Sequence, residues 1–351
     1  MKVGILYDGA SATAPDQIIT ATVDAVAAEL ASEGNEIVRV PVHDDAKWIE
    51  KLRRTRVGLV FNLCESIDGV AAMEPPVISV LELLGLPYSG SSSWTTALCL
   101  RKHIVNGALE RAGLPVPKFA VVRRGGAIPS VGFPAICKPA AEDASIGVEQ
   151  RSVVRTTRQL TERVSAMLER WDEVLVQRYI EGREINVGIL GDAVLPIAEI
   201  DFGRMPKGMW RIVTYRSKWE TGSDEDLGSA PRCPARLPAG VASQARKVAV
   251  AAWRLVGGSG YGRVDMRIDE RGRPWILEVN SNPDIAPDAG LARMARVAGI
   301  EYGALIRRVC ELGLQRKRDE AGTAEHWAMA QRLSGVTASE LAELDLFAGE
   351  A

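Results

Sequence analysis

The chain has 351 residues, of which 46% are hydrophobic and 25% are charged. At about 150 residues per domain, this length predicts two or three domains with packed cores. The net charge of −2, from 43 basic and 45 acidic residues, excludes the strongly basic surface typical of nucleic-acid-binding proteins. The apolar runs are strand-sized, short of the roughly 20 residues that cross a bilayer, and the N-terminus lacks a signal-peptide pattern. We therefore expect a cytoplasmic protein that binds neither nucleic acid nor membranes.

Cysteine and histidine are too sparse for the usual metal or disulfide frameworks. Five cysteines and three histidines are widely spaced, without a Cys-x-x-Cys pair. This argues against a zinc site with thiolate or imidazole ligands and against a disulfide scaffold. A Gly-x-Ser-x-Gly elbow is also absent from the sequence, which argues against a serine hydrolase.

Strand and helix patterns alternate along the N-terminal part of the chain. The patterns predict strands at 3–7, 36–42 and 57–61, and helices at about 15–31, 44–53 and 73–84. Such alternation is typical of parallel strands joined by crossover helices, so we expect an α/β domain over residues 1–94.

A strand-rich region follows a helix predicted at about 95–111. It contains predicted strands at 118–122, 135–138 and 174–179, a helix near 157–169, and a hairpin of 184–190 with 193–200 that turns at Gly191-Asp192. We place a second domain at 95–182 and a third at 183–316. Residues 203–236 lack periodicity, and a loop of that length is usually a functional lid or disordered.

The C-terminal part returns to helices and one more hairpin. The patterns predict a helix at 241–256, strands at 261–268 and 274–279, and a helix at about 291–315. Residues 317–351 read as a helical extension, with Thr337 as an N-cap candidate for the last helix.

The last two predicted strands carry an unusual set of polar side chains. Arg263 and Asp265 share one strand face, as do Glu278 and Asn280, because side chains alternate along a strand. Asp265, Glu278 and Asn280 together offer hard oxygen ligands, which suit Mg²⁺ on nucleotide phosphates better than zinc. A solvated strand face with a chance salt bridge is the alternative.

Two lysines are further candidates. Lys138 ends an apolar strand and precedes the loop 142–147, where backbone amides could bind phosphate beside the ammonium group. The loop is not a Walker A motif, since the Gly-x-x-x-x-Gly-Lys pattern is absent. Lys102 lies on a predicted helix and, taken alone, is best interpreted as a surface lysine.

Several runs gain weight from their order and spacing. They are LELLGLPYSG at 81–90, Lys102, Lys138-Pro139, VLVQRYIEGRE at 174–184, GRVD at 262–265 and LEVNSNP at 277–283. Over about residues 1–312 the chain thereby resembles the ATP-grasp ligases, and most closely the D-alanine–D-alanine ligase branch. The resemblance implies a mixed α/β, three-domain ATP-grasp fold with the nucleotide between the central and C-terminal domains, and often a homodimer.

The resemblance also implies roles for individual residues. The phosphates of ATP would contact Lys102, Lys138, the Ser145 loop and the lid residue Lys218. The adenosine would contact Gln177, Arg178, Tyr179, Ile180, Glu184 and Leu277. The ligands of Mg²⁺, usually two ions and replaceable by Mn²⁺, would be Asp265, Glu278 and Asn280. Arg263 would bind the substrate and neutralise the oxyanion of a tetrahedral intermediate.

The substrate-facing positions depart from a D-alanine ligase. Asp284 stands where the family has a glycine whose amide helps hold the acceptor carboxylate, and Asp288 lies next to Ala289, where a serine is expected. Because carboxylates repel each other, we predict an acceptor that carries a cation or lacks a free carboxylate. The alternative is that Asp284 and Asp288 cap the following helix.

Two more positions bear on the substrate. Glu74 matches loosely the acidic residue that binds the donor's amino group, with Glu65 and Asp68 as rivals. Trp219 replaces a lid tyrosine, and Ala144 replaces a serine of the phosphate loop. The tryptophan could stack on an aromatic substrate or simply seal the lid.

These features predict an ATP-dependent ligase that joins a small carboxylate to an amine through an acyl phosphate, with an acceptor other than D-alanine. One alternative is a genuine D-alanine–D-alanine ligase of cell-wall synthesis. The other is a nucleotide-binding regulator that has lost catalysis.

Overall fold

The computed structural model describes residues 1–9, 14–142 and 144–334 of the chain, so Thr337 and its predicted helix lie outside the described residues. The strands are β1 (Lys2–Asp8), β2 (Glu36–Val42), β3 (Leu59–Asn62), β4 (Phe119–Arg123), β5 (Ala135–Pro139), β6 (Val153–Val154), β7 (Glu173–Arg178), β8 (Arg183–Leu190), β9 (Ala193–Val194), β10 (Ala198–Asp201), β11 (Ala230–Arg232), β12 (Tyr261–Ile268) and β13 (Pro274–Asn280). The helices are α1 (Ala14–Ser32), α2 (Lys47–Thr55), α3 (Glu74–Leu83), α4 (Ser93–Leu100), α5 (Lys102–Arg111), α6 (Thr157–Leu168), α7 (Tyr215–Trp219), α8 (Asp224–Leu227), α9 (Ala239–Leu255), α10 (Gly290–Val297) and α11 (Tyr302–Ser334).

The N-terminal sheet is parallel, as the alternation of strands and helices predicts. Its strands run in the order β2-β1-β3, with β1 paired in parallel to both neighbours. Both faces are covered: Val3 and Ile5 pack in one apolar cluster, and Leu6 packs in another. Burial on both faces explains why the first strand is a continuous apolar run.

The central sheet is antiparallel and leaves one face toward the C-terminal part of the chain. Its order is β4-β7-β5-β6. The face that holds Cys137 and Val176 packs against α6 through Leu160 and Val164. Because side chains alternate, Lys138 and Gln177 point to the opposite face.

The C-terminal sheet has the order β11-β10-β8-β12-β13, with β9 paired to β8. Its apolar face includes Val187, Val264 and Val279 and is covered by α9 through Ala249 and Trp253. The opposite face carries the polar residues of β8, β12 and β13. The three sheets confirm the mixed α/β class, and each draws its strands from one predicted domain, whose boundaries stay predictions.

The structure divides two helices that the sequence patterns join. The predicted helix 95–111 breaks at Arg101, where the backbone N–H of Lys102 donates to Ala140 O at 3.2 Å. The predicted helix 291–315 ends at Val297 and restarts at Tyr302, after Gly299 with a φ of 81°. Helical periodicity continues across both breaks, which is why the pattern missed them.

The remaining differences concern the hairpin, the lid and the C-terminal extension. The hairpin is interrupted between β9 and β10, at Pro196, a residue with no N–H for the ladder. The segment 203–236 contains α7, α8 and β11 rather than loop alone. Helix α11 runs unbroken through residue 316, where the sequence analysis places a boundary. Within the described part of the chain, no helix is long and apolar enough to cross a membrane.

Helix α11 also contacts the loop that connects the first two sheets. Arg316 donates to the carbonyl oxygens of Tyr88, at 3.0 Å, and Gly90, and its guanidinium lies 3.9 Å from the centre of the Tyr88 ring. One turn earlier, a Cβ on Gly313 would collide with the Tyr88 carbonyl. The helix therefore approaches this loop more closely than any side chain at position 313 permits.

We expect Gly313→Ala to destabilise the protein, although alanine favours helices. Overpacking against a fixed carbonyl costs about 1–3 kcal/mol, which exceeds the gain in helix propensity of about 1 kcal/mol. The matched control is Gly107→Ala in α5, where a Cβ would meet nothing within 4 Å, so the same exchange is expected to stabilise. Thermal unfolding should move the two midpoints in opposite directions; a rise for Gly313→Ala would contradict the close approach.

Candidate nucleotide and substrate site

The polar face of the C-terminal sheet brings the four predicted strand residues together. In the β12–β13 ladder Asp265 lies opposite Glu278, and Arg263 lies opposite Asn280. The side chain of Asp265 accepts two hydrogen bonds from Arg263, at 2.7 and 2.9 Å, and one from Asn280 at 3.0 Å. A β-bulge after Asp265 leaves Leu277 without a partner in β12 and half-buried beside this row.

Arg263 keeps its charge in this position. Burial alone would lower its pKa, but the ion pair and hydrogen bonds with Asp265 outweigh this effect, so the pKa of Arg263 is raised. Asn186 on β8 also donates to Asp265 at 2.6 Å. A charged guanidinium is thus held in a fixed direction on a rigid strand.

Lys102 is not a surface lysine. It is 7% exposed, and its ammonium group lies 2.8 Å from Glu278 and also donates to the carbonyl of Glu142. The helix break at Arg101 places Lys102 at the start of α5, where it reaches from the central part of the chain to the C-terminal sheet. This contact joins two predicted site residues that are 176 positions apart in sequence (278 − 102).

Lys138 lies on the free face of the central sheet. Burial lowers its pKa below the ordinary lysine value, while Glu278 and Glu184 act in the opposite direction. Two lysines therefore converge near Glu278 from different elements. Positive charge that is partly desolvated in this way interacts strongly with an anion.

The strand that links the central and C-terminal sheets presents an unpaired amide. Gln177 is 0% exposed, and among the described residues neither atom of its side-chain amide has a hydrogen-bond partner. Such groups are rare in native proteins and call for an explanation. Arg178 donates to the carbonyl of Phe133, and Ile180 accepts from Arg267 at 3.3 Å.

Arg267 is a site residue that the sequence analysis missed. It is 2% exposed, pairs with Glu184 at 2.8 Å, and donates to the hydroxyl of Tyr179 at 3.1 Å and to the lid carbonyl of Arg211. It thus connects the ribose candidate Glu184 to the linking strand and the lid. Its period-two spacing from Arg263 and Asp265 was the signal that could have found it.

The loop after Lys138 has a backbone suited to anions. Ala144 and Ser145 have φ values of 54° and 61°, and Gly147 has 75°. Successive residues in such conformations can turn several N–H groups toward one point. The Ser145 hydroxyl donates to the carbonyl of Val213 at 3.2 Å, so the lid rests on this loop.

The lid positions Lys218 and Trp219 next to the loop. Both belong to α7, which is N-capped by Thr214, and Lys218 is exposed. The indole N–H of Trp219 donates to the carbonyl of Ala144 at 3.1 Å. This contact supports the role of Trp219 as a seal between lid and loop rather than as a platform for an aromatic substrate.

Among the three acidic candidates for the donor, Glu74 is the one that is buried. It is 4% exposed and accepts a hydrogen bond at 3.0 Å from Asn282, which in turn accepts from the hydroxyl of Tyr261 at 2.7 Å. Glu65 is exposed, and Asp68 is exposed and pairs with His43 at 3.5 Å. Of the three candidates, Glu74 is therefore the buried one, and it has a hydrogen bond to the loop after β13.

Asp284 and Asp288 do not cap the following helix. Helix α10 begins at Gly290, and its N-cap residue Ala289 makes no side-chain cap. Asp284 instead accepts from the backbone N–H of Ala286 at 2.9 Å, and both aspartates are exposed. The helix-cap alternative is wrong, and both carboxylates are available at the end of β13.

The oxygen donors on this face suit a divalent cation whose coordination is completed by phosphate oxygens. Within the described residues no group of three or more His, Cys, Asp or Glu side chains forms a complete metal site. Asp265, Glu278 and Asn280 supply two carboxylates and an amide on one face, which suits Mg²⁺ completed by phosphate oxygens and water. The ion would compete with Arg263 and Lys102 for these carboxylates.

Comparisons with known proteins identify the family. The family described as "D-ala D-ala ligase C-terminus" matches residues 108–311. A D-alanine–D-alanine ligase of Geobacter sulfurreducens is 32% identical over 313 residues, which cover 88% of this chain and 92% of the relative. The chain belongs to the D-alanine–D-alanine ligase family. It is therefore an ATP-grasp ligase that forms a C–N bond.

Two further comparisons refine this membership. An uncharacterized protein of Sinorhizobium fredii, y4sG, is 32% identical over 272 residues, covering 76% of this chain and 77% of the relative. The D-alanine–D-alanine ligase of Bacillus anthracis, solved in complex with ATP, superimposes with a TM-score of 0.75 at 24% identity, covering 91% of this chain and 99% of that one. The structural likeness confirms the ATP-grasp fold predicted from the sequence.

Proposed function

We propose that the chain couples ATP hydrolysis to the joining of two amino acids, with D-alanine as both donor and acceptor. The observation that carries this proposal is the convergence of Arg263, Lys102 and Lys138 on the carboxylates Asp265 and Glu278. Relatives named D-alanine–D-alanine ligase, aligned over most of their length, favour this reaction over the acceptor expected from the sequence analysis.

The cleft supplies the charges that such a reaction needs. A carboxylate is a poor electrophile, so it is first converted to an acyl phosphate with release of ADP. Lys102, Lys138 and the loop at Ser145 would hold the phosphates, and Lys218 belongs to the lid segment. Mg²⁺, when bound by Asp265, Glu278 and Asn280, would neutralise phosphate charge.

The second half of the reaction depends on Arg263 and Glu74. The acceptor amine attacks the acyl carbon, the carbonyl oxygen becomes an oxyanion, and phosphate leaves as the amide forms. The guanidinium of Arg263 is charged, rigidly held and thus suited to neutralise the oxyanion. Glu74, which accepts a hydrogen bond from Asn282, would bind the ammonium group of the donor.

The adenosine would lie against the linking strand. The unpaired amide of Gln177 can both donate and accept a hydrogen bond, which matches the edge of an adenine base. Glu184, which pairs with Arg267, would accept hydrogen bonds from the ribose hydroxyls. Arg178, Tyr179, Ile180 and Leu277 would line this part of the site.

A second candidate function rests on Asp284 and Asp288. Both carboxylates are exposed where the acceptor would approach, and neither caps a helix. An acceptor with a cationic group in place of the free carboxylate would pair with them. We propose this acceptor as the alternative to D-alanine.

One experiment separates the candidates. ADP and phosphate release would be measured across a matrix of carboxylates and amines that includes D-alanine alone, with mass spectrometry of the products. Turnover with D-alanine alone supports the first function, and a product only with a cationic amine supports the second. ATP binding without turnover on any pair would favour a regulator without catalysis.

We expect Asp284→Gly to lower the KM for the D-alanine acceptor. Removing one negative charge near a bound carboxylate relieves a repulsion worth about 1 kcal/mol, or roughly fivefold in KM. Initial rates at saturating ATP would measure the KM. The control is Asp192→Gly in the β8–β9 turn. Asp269 is unsuitable as a control because its carboxylate accepts hydrogen bonds that stabilise its own turn. An unchanged or raised KM would show that Asp284 does not repel the acceptor.

Lys138 makes nucleotide binding dependent on pH. Burial lowers its pKa in the free protein, and a bound phosphate favours the charged form and raises it again. Binding should therefore take up protons at a pH between the lowered pKa of Lys138 in the free protein and its higher pKa in the complex, and the affinity for ATP should fall as the pH rises through the free-protein pKa of Lys138.

Titration calorimetry in two buffers of different ionisation enthalpy measures this proton uptake. Lys138→Met should abolish it, whereas Lys247→Met, at an exposed position of α9, should leave it unchanged. Equal uptake in wild type and Lys138→Met would assign the proton to another group.

We also propose a homodimer, as the family resemblance implies. Sedimentation velocity of the full chain would measure its mass in solution. A single species at the monomer mass would overturn this part of the proposal.

A further inference from the structure

The loop that would hold the phosphates has a backbone conformation that is unfavourable by itself. Ala144 and Ser145 both have positive φ values, of 54° and 61°. For residues other than glycine this conformation costs about 1–2 kcal/mol each. It persists only where the surrounding structure holds the chain in place.

A buried guanidinium lies directly behind this loop. Arg163 on α6 is 8% exposed and donates to the carbonyl of Gly147 and to the hydroxyl oxygen of Ser152, both at 3.0 Å. Ser152 also accepts from the backbone N–H of Glu149 at 3.0 Å and donates to Gly147 at 3.4 Å. Arg163 therefore fixes the end of the loop and the turn that follows it.

The loop is tightly packed at Gly147. A Cβ on Gly147 would come within 2.7 Å of the Trp171 ring and 2.8 Å of Pro139. The Trp171 indole N–H donates at 3.0 Å to Glu142, at the start of the same loop. Both ends of the loop are thus fixed from the α6 side.

The charge of Arg163 lacks a direct counterion. Within the described residues it takes part in no ion pair, and its Nε has no hydrogen-bond partner. Glu149 is the nearest carboxylate to affect it, but Glu149 pairs with Arg151. Burial lowers the pKa of Arg163, the charge of Arg151 acts in the same direction, and Glu149 and Cys137 act in the opposite direction. An unpaired buried cation is costly, so an anion on the far side of the loop would compensate it.

We propose that Arg163 is a positioning residue that holds loop 144–147 in its anion-binding conformation and places positive charge behind it. Its effect falls on the distal phosphates of the nucleotide rather than on the base or ribose. The inference rests on the proposed binding of ATP but adds a residue outside the motifs that indicate it. No predicted site residue lies on α6.

The test compares ATP with AMP, which lacks the distal phosphates. Calorimetric dissociation constants would be measured for the wild-type full chain, Arg163→Met, Arg163→Lys and the control Arg158→Met, which alters an exposed arginine of the same helix. Arg163→Met should weaken ATP binding about tenfold or more while AMP binding changes less than about twofold, because a charge-assisted contact behind the loop is lost. Arg163→Lys keeps the charge but not the fork and should lose about threefold.

Each outcome decides between the inferences. Equal losses for ATP and AMP, or an unchanged ATP affinity in Arg163→Met, would overturn the positioning role. If Arg163→Met does not fold, the ratio of the ATP and AMP losses in Arg163→Lys decides in the same way. Wild type that binds no nucleotide would overturn the proposed function together with this inference, whereas normal wild-type binding with an unchanged ratio overturns only the latter.

Discussion

Arg263→Met is expected to lower kcat by about 10²–10³-fold while the KM for ATP changes little. Removing one donor to an oxyanion typically has this effect, because its interaction is made mainly in the transition state. Arg263 is suited to such a role since Asp265 holds its guanidinium at 2.7 and 2.9 Å and keeps it charged. Steady-state rates of phosphate release with the identified substrate pair would measure the loss.

Two controls sharpen this prediction. Arg271→Met removes an exposed arginine from the turn of the same hairpin and should keep kcat near the wild-type value. Because Arg263→Met also removes the cationic partner of Asp265, its thermal unfolding has to be measured as well. This measurement distinguishes a catalytic loss from misfolding. A kcat within about twofold of wild type would remove Arg263 from the oxyanion role.

Glu278→Gln is expected to raise the Mg²⁺ concentration needed for half-maximal activity by about 10–10²-fold. A neutral amide is a poorer ligand for a hard cation than a carboxylate, and metal-site changes of this kind commonly cost one to two orders of magnitude in affinity. The substitution also removes the counterion of Lys102, at 2.8 Å. Activity would be titrated with Mg²⁺ at fixed ATP.

The matched control is Glu270→Gln, which neutralises an exposed glutamate in the β12–β13 turn. It should leave the Mg²⁺ dependence unchanged. If Glu278→Gln keeps the wild-type Mg²⁺ dependence, the metal ligands lie elsewhere. Mn²⁺ is expected to replace Mg²⁺ in wild type, since it accepts the same oxygen ligands.

The arrangement on the last hairpin could be predicted because it is local. Strand alternation places Arg263 and Asp265 on one face, and the antiparallel register places Glu278 and Asn280 opposite them. The ladder confirms that these four residues share one face, and their roles stay predictions. The same alternation could have indicated Arg267, whose partners Glu184 and Tyr179 come from a strand and a linker far away in sequence.

The helix breaks at Arg101 and Ala298 could not be read from periodicity. Apolar residues continue across both positions, so one long helix and two short ones give the same pattern. Only the tertiary structure shows that the backbone N–H of Lys102 donates a hydrogen bond to the carbonyl of Ala140. The conformation of Ala144 and Ser145 is similar, since nothing in those residue types favours a positive φ.

By itself, the sequence determined the mixed α/β class, most of the strands, the ATP-grasp family and the polar face of the last hairpin. These depend on local periodicity and on motifs within short stretches of chain. Only the tertiary structure decided that Lys102 contacts Glu278, that Arg163 donates to the carbonyl of Gly147, and that neither Asp284 nor Asp288 is the N-cap residue of α10. The physical reason is that burial and ion pairing depend on distances between residues far apart in sequence, which packing of the sheets sets and no local pattern encodes.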